Sequence, residues 1–154
     1  MTPFLRELEK RVLIFDGAMG TSLHTFELPL SDYQGLENCS EILCDTRPDV
    51  VQAVHEGFFA AGCDAVETNT FGSNRIVLAE FGLESRVREL NRRAVEIARE
   101  AARKFATPSE PKFVVGSIGP GTKLPTLGHV DPRELLASYK EQGIGLLEGG
   151  ADVL

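Results

Sequence analysis

The sequence predicts a parallel α/β fold, the first half of a (β/α)8 barrel. Three observations lead there. Four short apolar runs alternate with stretches of helical period, the pattern of βα units. The first three runs each end in a polar or glycine-rich segment. The stretch Glu56 to Val66 is also echoed by Gln142 to Val153: each is a helix end, a glycine break, then an Asp leading into an apolar run. A doubly wound open sheet is the other arrangement this alternation allows. A whole barrel takes about 250 residues, whereas this chain has 154 and stops inside its fourth apolar run. An unpaired apolar strand is an exposed edge, so residues 1–154 are expected to be the N-terminal half of a longer barrel domain.

The elements follow in order. Residues 3–10 predict a short helix, and Val12-Leu13-Ile14-Phe15 a strand too short to be a buried helix. Asp16-Gly17-Ala18-Met19-Gly20-Thr21 is a glycine-rich turn with no clear helix after it, and residues 22–47 hold no period, which suggests a functional loop or flap. Asp49 near a helix start, then Val50, Val51, Val54, Phe58 and Phe59, predicts a helix that Gly62 ends. Asp64 to Asn69 is the second strand, Asn74 to Phe81 a short helix, and Glu84 to Phe105 a long one. After the loop Thr107 to Pro111, Phe113 to Ile118 is the third strand. Asp131-Pro132 caps and opens a last helix, with Leu135, Leu136, Tyr139, Ile144, Leu146 and Leu147 as its apolar face and Gly149-Gly150 as its stop. Ala151 to Leu154 begins a fourth strand.

Composition narrows the function. The hydrophobic fraction of 42% suits a folded core, and a net charge of −7 without a basic, aromatic-laced cluster disfavours nucleic acid. The basic residues from Arg86 to Lys104 alternate with Glu89, Glu96 and Glu100, which fits a solvated helix face. No apolar run approaches the roughly 20 residues of a membrane span, and the charged N-terminus does not suit a signal peptide, so a cytoplasmic location is expected. Three cysteines argue against a disulfide framework. Cys39, Cys44 and Cys63 lack a tight metal hook, and Cys63 before a strand is better taken as core. His55 is expected as a satisfied structural histidine on a helix boundary.

Chemistry is expected where strands end. In a parallel sheet all strand C-termini share one face, so Asp16 to Thr21, Glu67 to Gly72 and Ser117 to Gly121 should converge. Glycine-rich backbone near a strand end can offer N–H donors to a carboxylate or phosphate. Asp16 and Glu67 suit an ammonium group and would repel a phosphate ester. Together they favour a zwitterionic amino acid, with Asn69 able to donate and accept.

Those three segments, in this order and separation, resemble the opening motifs of the homocysteine S-methyltransferase family, over nearly the whole chain. Asn38-Cys39-Ser40-Glu41-Ile42-Leu43, then Thr46-Arg47-Pro48-Asp49-Val50-Val51, is similar to its cobalamin-dependent branch. The resemblance implies a (β/α)8 barrel that binds homocysteine and zinc, with zinc lowering the thiol pKa. The thiolate takes a methyl group from methylcobalamin, recharged from methyltetrahydrofolate, so the partners implied are cobalamin-carrying and folate-binding domains of the same protein. Asp16 and the Gly17, Ala18 and Met19 backbone would receive the amino-acid end of homocysteine. Glu67, Thr68 and Asn69 would line the pocket, and Ser117 and Gly119 would flank it. No metal ligand is expected in this chain, because the family's zinc cysteines, in Asn-Cys and Gly-Gly-Cys-Cys contexts, are expected beyond Leu154. Alternatives are a betaine- or S-methylmethionine-dependent methyltransferase, or a non-catalytic half-barrel scaffold.

Overall fold

The four apolar runs lie side by side, parallel and in chain order, in the computed structural model, which describes residues 2–154. Strand β1 (Ala65–Glu67) pairs with β2 (Phe113–Val115), with Ala65 opposite Phe113 and Glu67 opposite Val115. The outer two runs make single parallel bridges, Phe15 to Ala65 and Val115 to Val153. The ladders are shorter than the apolar runs because side chains take over the pairing at both ends. At the start of β1, Asp64 Oδ2 accepts the Ile14 N–H (2.9 Å) and pairs with Arg11 (2.9 Å). Asp152 repeats this on the next strand, accepting the Val114 N–H (2.8 Å) and pairing with Arg99 (3.0 Å). The sequence echo is thus a repeated strand clamp.

Helices bury one face of the strands. Helix α1 (Pro3–Leu8), capped by Thr2, lies on the opposite face, where Phe4 packs with Leu13, Ala65, Phe113 and Val115. Helix α4 (Pro48–Ala60) begins at proline, and Asp49 in its first turn pairs with Arg47 (2.9 Å). Asn74 caps α5 (Arg75–Ala79) by accepting two N–H groups, both at 3.1 Å. Helix α6 (Val87–Phe105) follows a 3-10 turn at residues 84–86. Its outer face carries ion pairs such as Arg92–Glu96 at 2.9 Å. Asp131 caps α7 (Pro132–Gly149), and Gly150 ends it at φ 89°, the left-handed conformation glycine allows. The central core joins Phe59, Val66, Val95, Ala98, Val114 and Leu146.

Three readings are corrected. Helices α2 (Met19–Leu23) and α3 (Leu43–Thr46), with a 3-10 turn at 40–42, occupy the ends of the stretch expected to be irregular. They do so because Leu23, Leu43 and Cys44 pack on Val50, Val51 and Val54 of α4. The apolar face read for α7 holds only in part: Leu146 is fully buried and Leu135, Tyr139 and Ile144 are half-buried, but Leu136 and Leu147 are 69% and 60% exposed, while Ser138, Gln142 and Gly145 are buried in their place. Glycine decides this, since α7 lies so close to α6 that a Cβ on Gly145 would sit 2.9 Å from Arg88 O. His55 is fully buried, and neither ring nitrogen has a partner among the described residues. Burial pushes its pKa down to about 4, so it packs as a neutral ring.

This close contact generates a test. A Cβ on Gly149 would sit 2.7 Å from both Arg92 O and Val95 Cβ, whereas one on Gly143 meets only Leu154 Cδ1 at 3.7 Å. Gly149→Ala should cost about 1–3 kcal/mol by overpacking. Gly143→Ala should be neutral or stabilise by up to about 1 kcal/mol. Denaturant midpoints of the two variants should therefore move apart in any protein that carries the α6–α7 pair.

Candidate functional site

The parallel register brings the three strand-end segments together. A cleft of about 830 Å3 at that end is lined by Asp16, Gly17, Ala18 and Met19, by Glu67, Thr68 and Asn69, and by Ser117. Gly119 does not line it. Its N–H donates to Phe71 O (3.0 Å), and a Cβ there would sit 2.6 Å from that oxygen, so Gly119 holds the rim from behind. Gly17 and Gly20 do not have positive φ; a Cβ on Gly20 would meet open space, and one on Gly17 would meet the Phe58 ring at 3.3 Å.

The segments are laced through their own polar groups. Asp16 Oδ1 accepts the Glu67 N–H at 3.0 Å, one step past the bridge of Phe15 to Ala65. Ser117 donates its hydroxyl to Glu67 Oε2 (2.8 Å) and its N–H to Thr68 Oγ1 (3.1 Å). Thr70 donates its hydroxyl to Ser117 O (2.7 Å), so in the 2.6 Å Thr68–Thr70 contact Thr68 is the donor. This closed ring uses up both threonine hydroxyl protons. Asn69 Nδ2 donates to Ser40 O (2.8 Å) and lies 3.7 Å from Cys44 Sγ, so its amide ties down the 39–44 segment.

Backbone N–H groups of Gly17, Ala18 and Met19 meet no acceptor among the described residues, and they border the cleft. Burial first of all pushes the Asp16 carboxyl up to about 6; the Glu67 N–H opposes this and the Glu67 carboxylate adds to it. Asn38, Ser40, Glu41, Thr70 and Phe71 also line the cleft, and the sequence reading assigned them no site role. Glu41 is buried and accepts the Gly72 N–H at 2.8 Å. No sequence signal marked it, since Glu41 stands between Ser40 and the run Ile42-Leu43-Cys44 as an ordinary boundary acid would.

These residues do not fit a zinc ion. No group of three or more His, Cys, Asp or Glu among the described residues is placed to hold a metal. Cys39, Cys44 and Cys63 are buried, which pushes their thiols up to about 11, 12 and 11, away from the thiolate a metal needs. No helix among the described residues is long and apolar enough to cross a membrane.

A mixed α/β chain with acids and free N–H groups converging at strand ends has the form of a small-molecule enzyme domain. The family model for homocysteine S-methyltransferase matches residues 13–154, and the chain belongs to that family. It is similar to the methionine synthases of Mycobacterium leprae and Mycobacterium tuberculosis, with 48% and 47% identity over 153 residues. The match covers 99% of this chain but spans only 13% of the length of each of those proteins. Among solved structures, the metallated homocysteine methyltransferase MmuM of Escherichia coli superposes with a TM-score of 0.78 at 24% identity, over 98% of this chain and 56% of that one. Its oxidized form gives 0.79 over 99% and 56%. The likeness shows a shared fold.

The raised Asp16 carboxyl makes stability depend on pH. An acid whose folded pKa lies above its ordinary 3.8 contributes stability that is full below that value and is lost as pH rises through about 6. Asp16→Asn cannot ionise, and its side-chain oxygen can still accept the Glu67 N–H. Its stability relative to wild type should rise between about pH 4 and 6 and level off above. Denaturant unfolding across that range, without ligand, checks this.

Proposed function

We propose that residues 1–154 are the N-terminal half of the homocysteine-binding barrel domain of a methyltransferase of the methionine synthase type. The observation that carries this reading is the meeting of Asp16 and Glu67 with the free N–H groups of Gly17, Ala18 and Met19 in one cleft. The N–H groups suit the carboxylate of an amino acid and the two acids suit its ammonium group. In this role Asp16 and Glu67 hold the ammonium. Thr68, Asn69 and Ser117 keep those acids and the loop in place, and Gly119 supports the rim from behind. Identity to two methionine synthases over nearly the whole chain supports methylcobalamin, recharged from methyltetrahydrofolate, as the methyl source. The cobalamin and folate domains would be other parts of the same protein, and the zinc ligands would lie outside these residues. A cytoplasmic location accords with this chemistry.

The barrel half is supported by what remains uncovered. Val12 and Ile14, at one edge of the strands, are 84% and 61% exposed, and Leu154 at the other edge is 49% exposed. A closed barrel leaves no edges. Burying such a side chain is worth about 1.5–3 kcal/mol, so further strands and helices would gain by covering them.

Two experiments test the proposal. In a complete enzyme that carries this sequence, Asp16→Asn should raise the homocysteine KM by about ten- to a hundredfold, from the loss of roughly 1.5–3 kcal/mol of charged hydrogen bonding. Wild-type affinity should be full above about pH 6 and fall below it, as Asp16 takes up a proton. An unchanged KM would remove the ammonium role. Made by itself, the 154-residue chain should associate or stay partly molten and bind no zinc stoichiometrically. Sedimentation with metal analysis checks this; a cooperatively melting monomer holding one zinc would show a complete domain.

A further inference from the structure

Gln142, on the inward face of α7, is fully buried and touches both segments that build the cleft. Its Nε2 donates to Thr70 O at 2.8 Å, just past β1, and lies 3.5 Å from Ser117 O, just past β2. Two carbonyl acceptors decide the orientation, since the amide oxygen in that place would face two other oxygens. Ser117 O also accepts the Thr70 hydroxyl at 2.7 Å, so three groups from different elements meet at one point. On α6, Asn91 Nδ2 likewise donates to Ser73 O at 2.7 Å, holding the same loop further out. The Gln142 amide oxygen has no partner among the described residues. Burying an amide in that state is costly. Packing alone would favour an apolar residue there, as Leu146 is one turn on.

We propose that Gln142 is a positioning residue that sets, from behind, the spacing between the Glu67–Thr70 segment and Ser117. It rests on the homocysteine reading above. Gln142 touches no substrate; it acts through Ser117, whose hydroxyl holds the Glu67 carboxylate at 2.8 Å, and through Thr70. A shift in either carbonyl moves the acid that faces Asp16, so the effect falls on homocysteine binding.

The test uses the complete methyltransferase carrying this sequence, with homocysteine as the varied substrate. Gln142→Met keeps length and volume and removes both donors. It should raise the homocysteine KM about tenfold and leave kcat at saturation nearly unchanged, the signature of lost ground-state binding. If that variant does not fold, Gln142→Glu keeps the amide's shape, and the same split is expected. A folded variant with an unchanged KM, whether or not its melting point falls, overturns the inference and leaves Gln142 as a structural brace. Asp16→Asn is measured beside it. A raised KM there but not at Gln142 sinks only this inference, whereas a wild-type enzyme indifferent to homocysteine sinks the function reading.

Discussion

The parallel pairing of β1 with β2, Glu67 opposite Val115, is the constraint on which the rest of the molecule depends. A parallel register sends both strands out of the sheet at the same end. Residues fifty apart in sequence, such as Glu67 and Ser117, thereby come within hydrogen-bonding distance. Glu67, Thr68 and Ser117, three of the residues that line the cleft, take their places from that geometry. The pairing is secured at the strand starts as well. Asp64 and Asp152 each accept the N–H of the preceding strand and hold an arginine, so one device keeps adjacent registers in step. A slip of one residue would send alternate side chains to the wrong face, taking Val66 and Val114 out of the core they share with Leu146.

Beyond the strands, order comes from buried polar groups. Thr68, Thr70 and Ser117 close a ring of hydrogen bonds, Asn69 ties in the 39–44 segment, and Gln142 reaches in from α7. Such groups are satisfied only in one arrangement, so they specify geometry more sharply than apolar packing does. The inner face of α7 shows what this requires. Gly145 and Gly149 bring the helix against α6, close enough for Gln142 to reach the loop carbonyls.

Charge limits what the cleft can hold. Asp16, Glu41, Glu67 and Glu80 line it, and no Lys, Arg or His does so. Glu80 is balanced by Lys123 at 3.1 Å, which leaves Asp16, Glu41 and Glu67 as the acids along the cleft with no cation beside them among the described residues. A phosphate would meet repulsion from these acids there. An amino acid brings its own cation to the acids.

Much of this was legible in the sequence because it is written in local chemistry. Apolar runs and helical periods marked the βα order, Asp131-Pro132 and Gly150 marked the ends of α7, and the residues directly after each strand marked the cleft. A strand's end is a local signal, and parallel pairing converts it into a shared location. What the sequence left open depends on contacts between distant segments. Helices α2 and α3 form because α4 gives them a surface to pack on. Leu136 and Leu147 stay outside while Gln142 goes in, because helix proximity and two loop carbonyls outweigh side-chain hydrophobicity at those positions. Glu41 and Gln142 carry no sequence mark of their roles, since the groups they bind are backbone N–H and C=O, which every residue has and only the tertiary fold can aim.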